Sequence, residues 1–80
     1  MSKTDVPFLI VKELAKLLKQ AREDKKVSKN ELSQRCGLSR AAIRAIENEE
    51  KQPSIYSLLK IADGLDLKLW KLIKEATDAV

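Results

Sequence analysis

The chain has 80 residues, with sixteen Lys and Arg against twelve Asp and Glu, a net charge of +4 and no His, and is expected to form one small domain. One Cys and no His exclude an ordinary zinc site, a Ser-His-Asp triad and an internal disulfide, and they fit a reducing, cytoplasmic compartment. The apolar run Pro7 to Val11 is far below the roughly 20 residues of a membrane span, and Lys12-Glu13 follow it where a leader would carry a small-residue cleavage site.

Twelve Leu and eight Ala, with only two Gly and two Pro, predict an all-α domain. Residues 1–6 read as a frayed N-terminus, 7–76 as the domain and 77–80 as a frayed C-terminus. Pro7 suits a first helical turn, with Asp5 or Val6 near the cap. From there Phe8, Val11, Ala15, Leu18 and Ala21 recur at helical spacing, flanked by Ile10, Leu14 and Leu17, so helix 1 runs to about Asp24. Phe8 to Val11 are more apolar than one helix face needs. They either pack against helix 5 or form a partner surface.

Ser28 caps helix 2, and Glu31 three residues later completes a capping box. Leu32 and Cys36 pack inward, and Gly37 supplies a left-handed residue past the helix end. Leu38 plugs the turn, Ser39 caps helix 3, and Ile43 and Ile46 seat that helix on the core. Asn48 to Gln52 form a polar loop. Pro53-Ser54 open helix 4, which carries Ile55, Leu58, Leu59, Ile61 and Ala62, with Gly64 expected to weaken its end by about 1 kcal/mol. Leu65-Asp66-Leu67 break it. Leu69, Trp70, Leu72, Ile73 and Ala76 make helix 5, with Trp70 either in the core or in a dimer contact.

The charge is uneven. Residues 12–44 hold ten bases against four acids, which leaves +6; residues 45–66 hold two bases against five acids, which leaves −3. A basic first half suggests a polyanion partner, set against the plainer reading of a solvated, mixed-charge surface. Within that half, Ser28 to Glu47 make two short helices joined by a Gly-containing turn, a helix-turn-helix. The outer face of its second helix shows Arg40, Ala41, Arg44 and Ala45.

Arg22 in helix 1, V-S-K-N-E-L-S, the C-G-L-S turn, the I-x-x-I-E ending of helix 3, the Pro53-Ser54 opening and L-L-K-I-A in helix 4 occur in this order. With these elements the sequence resembles the lambda-repressor-like helix-turn-helix family, also called XRE or phage repressor/Cro type, over roughly residues 14–73. The resemblance implies a compact five-helix DNA-binding domain with helix 3 in the major groove and helix 2 over the backbone. Arg40 and Ala41 stand where members place base-contacting side chains, and Arg44 and Ala45 where they face the groove or its wall. Asn48 matches a phosphate contact, and Lys29 holds a phosphate-contacting place usually taken by Gln. Arg22 and Glu47 match a buried structural ion pair. Lys26, Glu49 and Asp66 stand where Gly is frequent.

The chemistry agrees with these roles. An Arg near the start of a groove helix can grip guanine O6 and N7, and an Ala can touch a thymine methyl. The helix N-termini at Ser28 and Ser39 suit phosphate. Glu49 and Glu50 would repel DNA beside the phosphate path, which leaves Lys51 and Gln52 as loop contacts. The expected function is a sequence-specific transcriptional regulator, read as a repressor, acting as a homodimer on a pseudo-palindromic operator with half-sites about 34 Å apart. The alternative is a protein-interaction module, such as the antitoxin of a toxin–antitoxin pair. No catalysis, metal or cofactor is expected. Nor is a sensor domain, so regulation would come from concentration, a partner or proteolysis.

Overall fold

Four of the five helices start on a side chain that accepts a hydrogen bond from the first turn. In the computed structural model, which describes residues 5–80, α1 (Val6–Asp24) opens with Asp5 Oδ1 accepting from the Phe8 N–H at 3.2 Å. For α2 (Lys29–Cys36) and α3 (Arg40–Glu47), the hydroxyls of Ser28 and Ser39 accept from Glu31 and Ala42 N–H, both at 3.0 Å. For α4 (Ile55–Gly64) the Ser54 hydroxyl accepts from Ser57 N–H at 3.1 Å. Each cap satisfies an N–H that the helix itself leaves open. α5 (Leu69–Ala79) follows Lys68 without a side-chain cap.

The capping box expected at α2 is only half formed. Ser28 does its part, but the Glu31 carboxylate accepts from Arg35 Nη2 at 2.9 Å, one turn ahead, instead of reaching back. α5 also runs further than expected. Residues 77–79, read as part of a frayed end, are helical, and the Thr77 hydroxyl donates to the Ile73 carbonyl at 2.7 Å. At the other end Asp5 caps and Val6 begins α1; residues 1–4 of the expected frayed segment lie outside the described residues.

The helix ends repeat one device. Lys26, Glu49 and Asp66, the three places where the resemblance puts Gly, have φ of 58°, 60° and 57°. At each, the next residue's N–H closes back five residues: Val27 to Arg22, Glu50 to Ala45 and Leu67 to Ala62, at 3.1, 2.9 and 2.8 Å. This is the bond that ends a helix on a left-handed residue. Gly37, at φ 79°, ends α2 with its N–H on the Ser33 carbonyl at 3.0 Å.

Every helix contributes to one core. Leu14, Ala15 and Leu18 come from α1, Leu32 and Cys36 from α2, Ile43 and Ile46 from α3, Leu58, Ile61 and Ala62 from α4, and Leu69 and Ala76 from α5. α1 lies along α5 and against α3, and α2 sits between α3 and α4. Ile10 joins this core, and Phe8 and Val11 line a groove that faces the α3–α4 loop.

Gly64 has a role that its sequence position hid. A Cβ there would come within 2.9 Å of Leu32 Cδ1 and 3.1 Å of Cys36 Cβ. The glycine therefore lets α2 press onto the end of α4. Among the described residues there are five helices and no strand, and none of these helices is long and apolar enough to cross a membrane.

Candidate nucleic-acid interface

The turn Gly37–Ser39 sets α3 across α2, so that the outer face of α3 looks past the start of α2. A groove opens there, lined by Ser28, Lys29 and Asn30 on one side and Arg40 and Arg44 on the other, with Arg22 among its walls. Arg40 and Arg44 are exposed and one helical turn apart, so their guanidiniums share a face. Lys29, Arg40 and Arg44 form no ion pair among the described residues. Three uncompensated cations thus meet in one concave place.

The walls add backbone donors. The first N–H groups of α2 and α3, at Lys29, Asn30, Arg40 and Ala41, have no acceptor within their helices. Each helix start also carries partial positive charge. Ala41 is exposed beside Arg40, so nothing crowds that part of the face; Ala45 is half-buried against the body of the domain.

The remaining sequence candidates sit elsewhere. Asn48 is exposed at the end of α3, its N–H bonded to the Arg44 carbonyl at 2.9 Å. Lys51 and Gln52 lie on the far side of the loop, on the groove lined by Phe8, Val11 and Ile46. Neither Asn48 nor Lys51 reaches the groove of Lys29, Arg40 and Arg44. Glu49 turns toward α1, where its carboxylate lies 3.6 Å from Lys12 Nζ.

Arg22 and Glu47 hold the groove together from below. Arg22 Nε and Nη2 donate to the two Glu47 carboxylate oxygens at 2.7 and 3.0 Å, and Nη1 donates to the Val27 carbonyl at 2.8 Å. The two side chains are only 10% and 5% exposed. The hydrogen bond to Glu47 raises the Arg22 pKa above its usual value, against the opposing effect of burial and with help from the nearby charges of Glu47 and Glu23. Three segments are joined this way: α1, the strand of chain entering α2, and the last residue of α3.

Sequence reasoning passed over Asn30. Its only signal is its place beside Lys29 in the first turn of α2, and the groove gives that place meaning. A second surface was also left open. Ile55, Tyr56 and Trp70 are 60, 65 and 63% exposed on α4 and α5, against 39 and 38% for Phe8 and Leu9. Ile55, Leu59, Leu67, Trp70 and Ile73 line a shallow apolar groove between these two helices, edged by Asp63 and Lys68.

Comparison with known proteins agrees with this geometry. A helix-turn-helix family model matches residues 18–69. A Sinorhizobium fredii protein described as an uncharacterized HTH-type transcriptional regulator, y4dL, is 38% identical over 63 residues, which is 79% of this chain and 32% of that protein. The chain thus spans about a third of the length of that relative. The crystal structure of a point mutant of the restriction-modification controller protein C.Esp1396I superposes with a TM-score of 0.76 at 28% identity, over 86% of this chain and 88% of that one.

Proposed function

The chain belongs to the helix-turn-helix family, and on that premise we propose that it is a sequence-specific DNA-binding transcriptional regulator, working as a homodimer that occupies a two-fold operator. The observation that carries this reading is the groove where Lys29, Arg40 and Arg44 meet without a carboxylate partner among the described residues. A helix with its side chains is about 10–12 Å across, which matches a major groove about 12 Å wide. Arg40 in the first turn of α3 then reaches the base edges and suits guanine. Arg44 follows one turn deeper or on the groove wall. Ala41 leaves room for a thymine methyl, and Ala45 lines the side nearest the domain.

Phosphates on the near strand fall to Lys29, Asn30 and the N–H groups behind Ser28 and Ser39. Asn48, exposed at the end of α3, serves the backbone where the chain leaves the groove. The homodimer uses the α4–α5 face. Its large apolar residues are more exposed than those of the Phe8–Val11 segment, and a patch of this kind on a small domain marks an interaction surface. Asp63 and Lys68 on its rim carry opposite charges, which a two-fold copy can pair reciprocally.

Selection of bound sites from random duplexes, at two salt concentrations, tests the reading. A motif with two-fold symmetry is expected, with affinity falling steeply as salt rises. Arg40→Ala should lose preference at one base pair per half-site while the helical fold persists. An operator preference unchanged in that variant would refute the assignment. Absence of any motif, with a second chain co-purifying, would instead favour a module whose main partner is another protein.

A further inference from the structure

The turn that follows α3 carries charge of the wrong sign for the groove beside it. α3 has eight residues and so spans about 12 Å, close to the width of the major groove. With Arg40 at its first residue among the bases, the residues after Glu47 emerge at the phosphate wall. The first of those residues are Asn48, Glu49 and Glu50, all exposed, before the chain turns away to put Lys51 on the Phe8–Val11 side. The Glu50 N–H is bonded to the Ala45 carbonyl at 2.9 Å, and Glu49 sits in the left-handed region at φ 60°. The two carboxylates are therefore presented by a closed turn anchored to α3.

Their circumstances differ. Lys12 draws the Glu49 carboxylate toward α1. Glu50 has no ion-pair partner among the described residues. With screening lengths near 8 Å at physiological salt, an uncompensated carboxylate at the groove exit acts directly on the phosphates beside it.

We infer that Glu50 is a brake on DNA binding: it sets the affinity of this interface by repelling the operator backbone, and Lys12 keeps Glu49 from adding fully to that repulsion. The inference rests on the DNA-binding reading above. Backbone contacts carry no direct sequence information. The brake therefore lowers binding to every duplex by a similar factor and leaves the choice of site unchanged.

The test compares the native chain, Glu50→Gln and Glu75→Gln in mobility-shift titrations at low and physiological salt. The two duplexes are the selected operator and one of unrelated sequence. Glu75 is an exposed acid on α5, outside the helix-turn-helix, and controls for net charge. Glu50→Gln should tighten binding to both duplexes about threefold or more at low salt, with a smaller gain at high salt and the preference between duplexes unchanged. Glu75→Gln should change either affinity less than about twofold. The inference falls if Glu50→Gln binds like the native chain, or if Glu75→Gln gains as much. A native chain that binds neither duplex removes the DNA-binding reading beneath it. A native chain that binds while Glu50→Gln changes nothing removes only the brake.

Discussion

Arg22 on α1 and Glu47 at the end of α3 meet through two hydrogen bonds of 2.7 and 3.0 Å, although 25 residues separate them in the chain. The third guanidinium bond goes to the Val27 carbonyl, and no buried side-chain polar atom among the described residues lacks a partner. A buried pair that is this fully satisfied offsets much of its own desolvation. It also ties α3 to the chain just ahead of α2, so the groove's two walls share one anchor.

Removing one member should therefore cost far more than an exposed ion pair would. Glu47→Ala strands a buried guanidinium, with an expected loss of about 3–5 kcal/mol in a urea unfolding titration. A loss below about 1 kcal/mol would show that solvent screens the pair. The raised Arg22 pKa adds stability at every pH below the ordinary Arg value, and that stability is lost only as pH climbs through the higher, folded value. Arg22 thus contributes no pH dependence near neutrality.

Gly64→Ala places a methyl 2.9 Å from Leu32 Cδ1 and 3.1 Å from Cys36 Cβ. Helix propensity alone favours Ala by about 1 kcal/mol. Overpacking opposes it by about 1–3 kcal/mol, and the net result should be destabilisation, read as a lower thermal midpoint. A higher midpoint would mean that α2 can shift away without loss.

Lys26 and Asp66 hold left-handed backbone with side chains attached. That conformation costs a non-glycine residue roughly 1–2 kcal/mol, against the 0.5–1 kcal/mol of chain entropy that glycine loses. Lys26→Gly and Asp66→Gly should each stabilise the fold by up to about 1 kcal/mol. Equal or lower stability in both would show that the side chains themselves support these turns.

If the α4–α5 face is the dimer surface, Leu59→Glu and Trp70→Glu should sediment as folded monomers under conditions where the native chain is dimeric. Operator binding at a given chain concentration should weaken with them. Dimers that persist in both variants would move the interface to the Phe8–Val11 segment.

Local features of the fold were legible because they are written in neighbouring residues. Ser28, Ser39 and Ser54 each precede a helix that they cap, and Gly37 takes the left-handed place expected of it. The capping box misled because Arg35, four residues on, competes for the Glu31 carboxylate. Gly64 misled because its reason lies on another helix, at Leu32 and Cys36. The end of α5 was readable in principle. Lys74 and Asp78 pair at 3.0 Å across one turn, and that spacing stands in the sequence. For the candidate interface, the family resemblance named Lys29, and it and the helix positions named Arg40 and Arg44; the structure brings the three to one groove. Pattern alone could not separate them from Lys51, which the loop carries to another face, or add Asn30.

Trp70 is the chain's one tryptophan, and it stands largely in solvent on α5. Its indole is thus a native fluorophore at the rim of the α4–α5 groove. A partner that covers that face takes the ring out of water and shifts its emission toward the blue. If the proposed homodimer forms through this face, diluting the unlabelled protein and watching that emission follows its dissociation without a label.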